Sequence, residues 1–158
     1  MAVLQQYFVS CGATKVRTYI QSGNVIFEHH SASAMLRKLL EQHLTRKLGY
    51  AVPILIKGAE KFAAIVQANP YETSLPEFGK KMYVCFFENP PSVALIKSIE
   101  SLVDDDERLV VKGDVGYAYY SNGFSRAKLT SAVIERKLGM ATLRNWNTVT
   151  TLLEMTKS

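Results

Sequence analysis

The spacing of apolar residues in the first half of the chain predicts a helix, a β-hairpin, two further helices and one more strand. An apolar stripe with the period of an α-helix ends at Gly12, and β-branched and aromatic runs flank a turn at Gln21–Asn24. The predicted elements are a helix over 2–11, strands over 16–20 and 24–27, a helix that Ser31 or Ser33 caps and Gly49 ends, a strand over 52–57 and a helix over 59–67.

The second half of the chain predicts the same kinds of element, with an additional strand at its start. Gly113-Asp114 joins two strands, Gly139 ends a helix, and the acidic run Asp104–Glu107 is expected to be a solvated turn. The predicted elements are a strand over 81–88, a helix that follows Pro90-Pro91 and reaches Leu102, strands over 108–112 and 115–120, a helix over 126–138, a strand over 142–145 and a helix over 148–155.

The two halves match at a fixed offset of 90 residues. Gly23-Asn24 falls on Gly113-Asp114, and the RKLG string of residues 46–49 falls on the RKLG string of residues 136–139. A shared turn and a shared helix end, in matched element order, indicate a duplicated domain rather than a solenoid.

The sequence therefore predicts an α+β protein with antiparallel sheets, built from two ferredoxin-like repeats. The repeat has the order βαββαβ followed by a terminal helix. We place the first repeat at residues 1–70, a linker at 71–80 and the second repeat at 81–158.

The first predicted repeat has no counterpart of the strand that opens the second. In a ferredoxin-like sheet of order 4-1-3-2 the first strand is central and pairs on both sides. Without it, two neighbouring strands have open backbone edges, at a cost of about 1–3 kcal/mol for each buried unsatisfied group. We expect either that the natural chain is longer at its N-terminus or that another segment or subunit fills the gap. The alternative is a different sheet order in the first half.

Composition and charge narrow the function classes without selecting one. The 158 residues are 47% apolar and 21% charged, which is ordinary for a globular protein. No apolar run approaches the roughly 20 residues of a membrane span, and no signal-peptide pattern opens the sequence, so we expect a cytoplasmic protein with no membrane partner. Cys11 and Cys85 form no CxxC pair and are typical of small core residues.

The common catalytic and cofactor motifs do not occur in the sequence. It contains no GxxxxGK[ST], GxGxxG, HExxH or GxSxG string. His29 and His30 would point to opposite faces of a strand, and His43 falls on an apolar helical stripe. The sequence therefore predicts neither a metal site nor a cofactor.

The first candidate binding segment is the strand and turn over residues 16–24. Strand alternation places a guanidinium, a phenol and an amide on one face, beside the turn. This face is suited to a polar ligand; the alternative is that the turn requires a positive φ at Gly23-Asn24 and that the polar face is simply hydrated. The candidate residues are Arg17, Tyr19, Gln21, Ser22 and Asn24.

The second candidate segment is ATLRNWNT, residues 141–148. At the 90-residue offset, Arg144 and Asn145 replace the apolar Ile54 and Leu55. The segment meets either a structural need, with Asn147 or Thr148 as the cap of the last helix and Trp146 sealing the seam between the repeats, or the recognition of an anion by Arg144 and the helix start. Two cations at the start of the preceding predicted helix oppose its dipole and add one more candidate. The candidates are Lys128, Arg144, Asn145, Trp146 and Asn147.

These segments resemble the bacterial family called domain of unknown function 1697. The resemblance extends over essentially the whole chain, and TYIQSGN (18–24) and RNWNT (144–148) are its most specific strings. It implies tandem ferredoxin-related units and no particular reaction. The family pattern opens with a strand and an RGINVGG-like segment, which this sequence lacks, and it more often has Thr at the position of Leu143.

The preferred hypothesis for function is a non-enzymatic cytosolic module that binds an anionic ligand on the polar face. A nucleotide, a phosphorylated metabolite or nucleic acid would fit the net charge of +5, of which +4 lies in residues 1–80. In the nucleic-acid version, Tyr117, Tyr119 and Tyr120 would stack on bases.

Two other function classes stay open. In a small-molecule enzyme, Arg144 or Arg17 would hold an anion and Tyr19 or Lys128 would transfer a proton. No paired carboxylate, histidine or activated thiol stands out as a base for that reaction. A structural or assembly role, with oligomer formation, is the third class.

Overall fold

The computed structural model describes residues 2–103 and 105–157, and within them it has seven α-helices and six β-strands. All strand pairs are antiparallel, so the protein belongs to the α+β class, as predicted. The elements are α1 (Ala2–Ser10), β1 (Thr14–Tyr19), β2 (Asn24–Glu28), α2 (Ser33–Leu48), α3 (Ala59–Gln67), α4 (Phe78–Lys81), β3 (Met82–Phe87), α5 (Val93–Glu100), β4 (Glu107–Lys112), β5 (Val115–Tyr120), α6 (Ser131–Leu138), β6 (Ala141–Asn145) and α7 (Trp146–Thr156).

The chain divides into two compact units. The first unit comprises residues 1–62 and 152–158, and the second comprises residues 63–151. Both boundaries fall inside a helix, α3 at one end and α7 at the other. The predicted repeats, 1–70 and 81–158, are defined by matching sequence, whereas the compact units are defined by packing. The repeat boundaries therefore stay a prediction.

The second unit is built around a four-stranded sheet with the order β4-β5-β3-β6. Numbered within this half, the strands follow the order 2-3-1-4, which is 4-1-3-2 from the opposite edge. β3 is therefore central, and five of its six residues are at most 5% exposed. This agrees with the continuous apolar run that the sequence has at this strand.

One face of this sheet packs on helices α5 and α6. Gly116 gives the face room, because a Cβ there would lie 3.2 Å from both Leu109 and Phe87 side-chain atoms. The buried residues of this core are Cys85, Phe87, Ile99, Ala118, Tyr120, Leu129, Ile134 and Leu138.

The opposite face of the sheet is also covered in the second unit. The hydroxyl of Tyr117 donates to the carbonyl of Ile65 at 2.7 Å, and the Tyr71 ring packs on Tyr119 with a centroid distance of 5.9 Å. Phe78 is buried against Tyr119 as well. Residues inside the predicted linker thus pack against the sheet.

The first unit contains a two-stranded sheet of β1 and β2. A bulge interrupts the pairing between Thr14 and Arg17, where Lys15 has a φ of +48°. Helices α1 and α2 supply the buried core of Phe8, Leu36 and Leu40, on which apolar strand residues pack.

The predicted strand over residues 52–57 is wrong, since the structure assigns no strand there. Ile54 and Ile56 still pack on the core of the first unit, so the apolar pattern was real. A strand also needs a partner for its backbone groups. Here the Ile54 N–H instead donates to a carboxylate oxygen of Glu41 at 2.9 Å.

One predicted helix cap and one predicted helix start are also wrong. Helix α2 begins at Ser33 without a side-chain cap on Ala32, so neither predicted serine caps it. Helix α6 begins at Ser131, where the Thr130 hydroxyl accepts the Val133 N–H at 3.3 Å. A 3-10 turn over Phe124–Arg126 and an irregular segment precede it. The cations before α6 therefore do not oppose a helix dipole, and that argument for Lys128 loses its basis.

The other element predictions are confirmed to within a few residues. Helix α3 has the predicted bounds, and Gly49 ends α2 with a φ of +80°. Ser92, directly after Pro90-Pro91, caps α5 through the Leu95 N–H. Among the described residues, no helix combines the length and apolar character that crossing a bilayer requires.

Candidate functional site

The predicted site residues fall into two groups, one in each unit. Each group is described within its own unit. The first-unit group consists of Arg17, Tyr19, Gln21, Ser22 and Asn24, and the second-unit group consists of Lys128, Arg144, Asn145, Trp146 and Asn147.

The first-unit group is largely engaged in contacts within the protein. The Arg17 guanidinium donates to the carbonyl of Met155 in the last turn of α7, where a cation is favoured by the helix dipole. The buried Asn24 donates its amide to the Ser22 hydroxyl at 2.8 Å and to the Tyr19 carbonyl at 3.3 Å. These contacts support the structural interpretation of the turn.

The expected alternation of Arg17, Tyr19 and Gln21 on one strand face is wrong at its last member. β1 ends at Tyr19, and Ile20 has a φ of +50°, which breaks the strand. Gln21 therefore lies in the exposed turn. Positive φ at a β-branched residue is rare, so the sequence carried no local signal for it.

In the second unit, Arg144 lies on β6 opposite Val84 of the central strand. One guanidinium nitrogen donates to the Thr142 hydroxyl at 2.5 Å and to the Leu143 carbonyl at 2.8 Å. Burial lowers the pKa of Arg144, because the charged form is partly desolvated. A guanidinium still carries its charge at neutral pH.

Asn145 links β6 to the junction between α4 and β3. Its amide nitrogen donates to the Lys80 carbonyl at 3.3 Å, and its amide oxygen accepts the Asn147 N–H at 3.1 Å. The second bond caps the first turn of α7, so the cap is Asn145 and the predicted caps Asn147 and Thr148 are wrong.

The next two residues of the motif pack against α4. Trp146 is buried, and its ring meets Phe78 edge to face with a centroid distance of 5.6 Å. The Asn147 amide lies directly over Gly79, where a Cβ would be 2.0 Å from the amide oxygen. Gly79 thus gives the Asn147 side chain its position.

A cavity of about 420 Å³ opens at this junction. Five polar residues of the described chain contribute to its lining: Thr73, Glu77, Lys80, Asn147 and Thr150. The full lining is Thr73, Leu75, Glu77, Phe78, Gly79, Lys80, Trp146, Asn147 and Thr150. The structure therefore brings together two of the predicted residues, Trp146 and Asn147, with seven that sequence reasoning missed.

The missed residues carried little signal, because Thr73–Lys80 belongs to the segment that we interpreted as a linker. Gly79 followed by two lysines was the one available clue. A glycine next to a charged pair permits close approach, but only the fold shows that Asn147 is the group that approaches.

Glu107 is a second residue that sequence reasoning misjudged. It is 7% exposed at the start of β4 rather than part of a solvated turn, while Asp104 lies outside the described residues. Its carboxylate accepts the backbone N–H groups of Lys128 at 2.6 Å and Leu129 at 2.8 Å. Strand alternation with Leu109 would have revealed this inward position.

Leu129 makes a second hydrogen bond, because the Tyr120 hydroxyl donates to the Leu129 carbonyl at 2.8 Å. Burial, with the Glu107 charge as a smaller cause, raises the pKa of Tyr120. A cavity of about 190 Å³ lies beside this arrangement, lined by Asp106, Glu107, Tyr120, Asn122, Gly123, Arg126 and Lys128. Two carboxylates and two cations line it, so it shows no preference for an anion.

The prediction that Tyr117, Tyr119 and Tyr120 form a base-stacking surface is wrong. Tyr117 and Tyr120 are each 1% exposed and lie on opposite faces of the sheet. Their hydroxyls bond to carbonyls inside the second unit. Strand alternation and burial thus leave no platform of three rings for bases.

His29 and His43 make hydrogen bonds within the protein, and neither cysteine is exposed. His29 contacts the Cys11 carbonyl at 3.2 Å and accepts the Ser31 N–H at 3.0 Å, and His43 contacts the Ser10 hydroxyl at 3.0 Å. Burial raises the pKa of both Cys11 and Cys85, which disfavours a reactive thiolate. Over residues 2–103 and 105–157, no three His, Cys, Asp or Glu side chains are grouped for a metal ion.

We expect the free energy of unfolding to fall as the pH rises from 10 to 12. Burial raises the pKa of Tyr71 to about 12, and nearby Arg108 offsets this only partly. In that window the unfolded chain has lost the phenol proton that the folded chain retains, so a rising pH favours unfolding. The Tyr71→Phe variant should lose less stability over this window in chemical denaturation, and the matched control Tyr50→Phe, at an exposed tyrosine, should follow the unmodified protein. Equal slopes for all three proteins would contradict the prediction.

Comparison with known proteins identifies the family. The family model described as "Protein of unknown function (DUF1697)" matches residues 1–117. The chain belongs to this family. The DUF1697 match includes TYIQSGN but ends before RNWNT, so the resemblance at residues 144–148 depends on the motif itself. No curated protein matches the chain.

A solved structure is similar to this DUF1697 member over its whole length. It is that of the conserved bacterial protein SP0830 from Streptococcus pneumoniae, with 25% sequence identity and a TM-score of 0.80. The similarity covers 100% of this chain and 89% of that one. The fold is therefore shared with a bacterial protein, and the comparison adds no reaction.

Proposed function

We propose that this DUF1697 protein is a non-enzymatic binding protein for a small anionic ligand, and that the ligand occupies the cavity at the start of α7. The observation that carries the proposal is the cavity itself, whose lining includes Lys80, Asn147 and the first turn of an 11-residue helix, where the positive end of the helix dipole lies. Its volume of about 420 Å³ lies within the range of small-molecule sites.

The balance of charge in the cavity favours an anion, though weakly. Glu77 forms an ion pair with Lys80 at 3.2 Å, and the Lys80 side chain is 76% exposed, so water screens this pair. The start of α7 adds positive potential, and Glu77 is the one acidic residue in the described lining that opposes it. Thr73, also in the lining, would give a contact to the uncharged part of a ligand.

A phosphorylated small molecule suits this cavity better than nucleic acid does. The aromatic residues that would stack on bases are buried, as described above for Tyr117 and Tyr120. The charge excess of the sequence is modest, at +5 over 158 residues. Binding that weakens steeply as salt is added would instead favour the nucleic-acid version.

The proposal is tested by thermal-shift measurements with inorganic phosphate, a sugar phosphate and a nucleoside monophosphate, each beside its uncharged counterpart. A real ligand at saturating concentration should raise the Tm by about 5 °C. The Gly79→Ala variant should abolish the shift, because the new methyl group displaces the Asn147 amide from the cavity. It should leave the fold intact, since only the end of one exposed side chain must move.

A second variant and a matched control complete this test. Lys80→Ala should reduce the shift severalfold, whereas Lys97→Ala, which removes an exposed lysine on α5, should leave it unchanged. If a ligand stabilises Gly79→Ala as much as the unmodified protein, the site is elsewhere. If none of the three probe classes shifts the Tm, the anion-binding proposal fails.

We also propose that the two halves of the chain derive from one duplicated ferredoxin-like unit. Supporting this, α1 and α5 match at the 90-residue offset to within one residue, and α2 and α6 both end at the RKLG glycine. β2 and β5 follow the matched Gly-Asn and Gly-Asp turns. In this correspondence residues 52–57 match β6, and β3 has no first-unit counterpart among the described residues.

A further inference from the structure

We propose that the smaller cavity of the second unit binds a small zwitterion, a free α-amino acid, between Glu107 and Arg126. In this arrangement the ammonium group of the ligand donates to the Glu107 carboxylate, and the carboxylate of the ligand accepts from the Arg126 guanidinium. The cavity has a volume of about 190 Å³ and has no described lining residue in common with the cavity at the start of α7. The inference is therefore independent of the proposed anion site.

Glu107 supplies a buried negative charge to this cavity. The residue is 7% exposed, and its two carboxylate oxygens accept the N–H groups of Lys128 and Leu129. These bonds use two of the roughly four lone-pair positions of a carboxylate. Within the described part of the chain, Glu107 forms no ion pair. A buried carboxylate without a counter-charge is costly, and an ammonium group in the cavity would supply that charge together with N–H donors.

Arg126 supplies a positive charge that has no partner among the described residues. It ends the 3-10 turn over Phe124–Arg126 and is exposed, and its guanidinium makes neither a hydrogen bond nor an ion pair with the described chain. A planar guanidinium holds a carboxylate through two parallel N–H bonds. Since Glu107 and Arg126 line one cavity yet do not pair with each other, a ligand that carries both charges can join them.

The charge of the described lining matches a molecule that is neutral overall. Asp106 and Glu107 carry negative charges, and Arg126 and Lys128 carry an equal number of positive charges. A purely anionic or purely cationic ligand would bring its charge next to like charges, which disfavours binding. A zwitterion places each of its charges beside the opposite one.

The walls of the cavity are held in place by contacts within the second unit. Ser121 donates its N–H to the Asp106 carbonyl at 2.9 Å and its hydroxyl to the Asp106 carboxylate at 2.8 Å. The Phe124 ring packs on the buried Tyr120 with a centroid distance of 5.2 Å, which anchors the turn that carries Arg126. A site whose backbone is already ordered loses less entropy when it binds, so a small ligand can reach a measurable affinity.

The volume of the cavity limits the size of the amino acid. Liquid water takes about 30 Å³ for each molecule, so 190 Å³ holds about six groups of that size. Pockets for drug-sized ligands have about 300–1,000 Å³. Alanine fits this volume, whereas phenylalanine and a nucleotide exceed it.

Isothermal titration calorimetry at neutral pH tests the ligand class. We expect alanine to bind with a Kd below about 1 mM. Propionate and ethylamine, which each lack one charge of alanine, should bind at least about tenfold more weakly, because each leaves one charged group of the site without its partner. Phenylalanine should also bind at least about tenfold more weakly, because it exceeds the cavity. If alanine does not bind, or if propionate or ethylamine binds equally well, recognition of a zwitterion is wrong.

The position of the site is tested by variants. Because Glu107 also stabilises the fold, Arg126→Ala carries this test; it should weaken alanine binding at least about tenfold and change the Tm by less than about 2 °C. The matched control Arg136→Ala, at an exposed arginine on α6, should bind alanine like the unmodified protein. If Arg126→Ala retains the affinity, the assigned site is wrong. If Gly79→Ala abolishes binding instead, alanine occupies the cavity at the start of α7 and the proposal fails.

Discussion

The Glu107→Ala variant is expected to lose about 3 kcal/mol of unfolding free energy. The buried carboxylate accepts two backbone N–H groups, from Lys128 and Leu129, and hydrogen bonds to a charged acceptor are each worth about 1.5–3 kcal/mol. Removing the acceptor leaves the Leu129 N–H in a buried position, so its desolvation is no longer compensated. Chemical denaturation at neutral pH measures the loss.

The control for this prediction is Glu135→Ala, which removes an exposed carboxylate from α6. It should change stability by less than about 0.5 kcal/mol. Tyr120 donates to the Leu129 carbonyl, so it belongs to the same hydrogen-bond network as Glu107. The loss of the double variant Glu107→Ala with Tyr120→Phe should therefore differ from the sum of the two single losses by at least about 0.5 kcal/mol. A loss below about 1 kcal/mol for Glu107→Ala would contradict the assigned role.

The Trp146→Ala variant is expected to lose about 3–4 kcal/mol, within the range for large aromatic residues in cores. The ring is 8% exposed and packs edge to face on Phe78, which is itself buried. The substitution therefore removes apolar contact area and leaves a void between α4 and α7. Chemical denaturation followed by far-ultraviolet circular dichroism measures it without needing the tryptophan signal.

Trp146→Phe is the informative companion variant, because it retains an aromatic contact with Phe78. It should recover more than half of the loss. If Trp146→Ala were instead nearly neutral for stability, the residue would be available for a ligand, and its structural role would be wrong. Comparing the stabilities of Trp146→Ala and Trp146→Phe also shows whether a lost ligand effect in either variant comes from impaired folding.

The order of the elements was predictable because it depends on local patterns. The period of the apolar residues located α1 and α3, and Gly49 ended α2 because a left-handed conformation is needed there. The Gly113-Asp114 turn located the β4-β5 hairpin. Strand order in the second unit followed from this element order, because few topologies connect such elements without crossing.

The candidate site was less predictable, since it depends on contacts between distant segments. Asn145 and Trp146 could be singled out from the sequence, but their partners Lys80 and Phe78 lie more than 60 residues away in the chain. Glu107 illustrates the opposite error. Its neighbours in sequence are acidic, which indicates a solvated turn, although strand alternation turns its side chain inward.

By itself, the amino-acid sequence determined the α+β class, the positions of most helices and strands, and the family to which the chain belongs. These properties follow from periodicity, turn residues and short motifs, which act over a few neighbouring positions. Only the tertiary structure decided that residues 52–57 form no strand and that Gly79 receives the Asn147 amide. Both outcomes depend on which distant backbone or side chain is present to make the contact, and no local pattern contains that information.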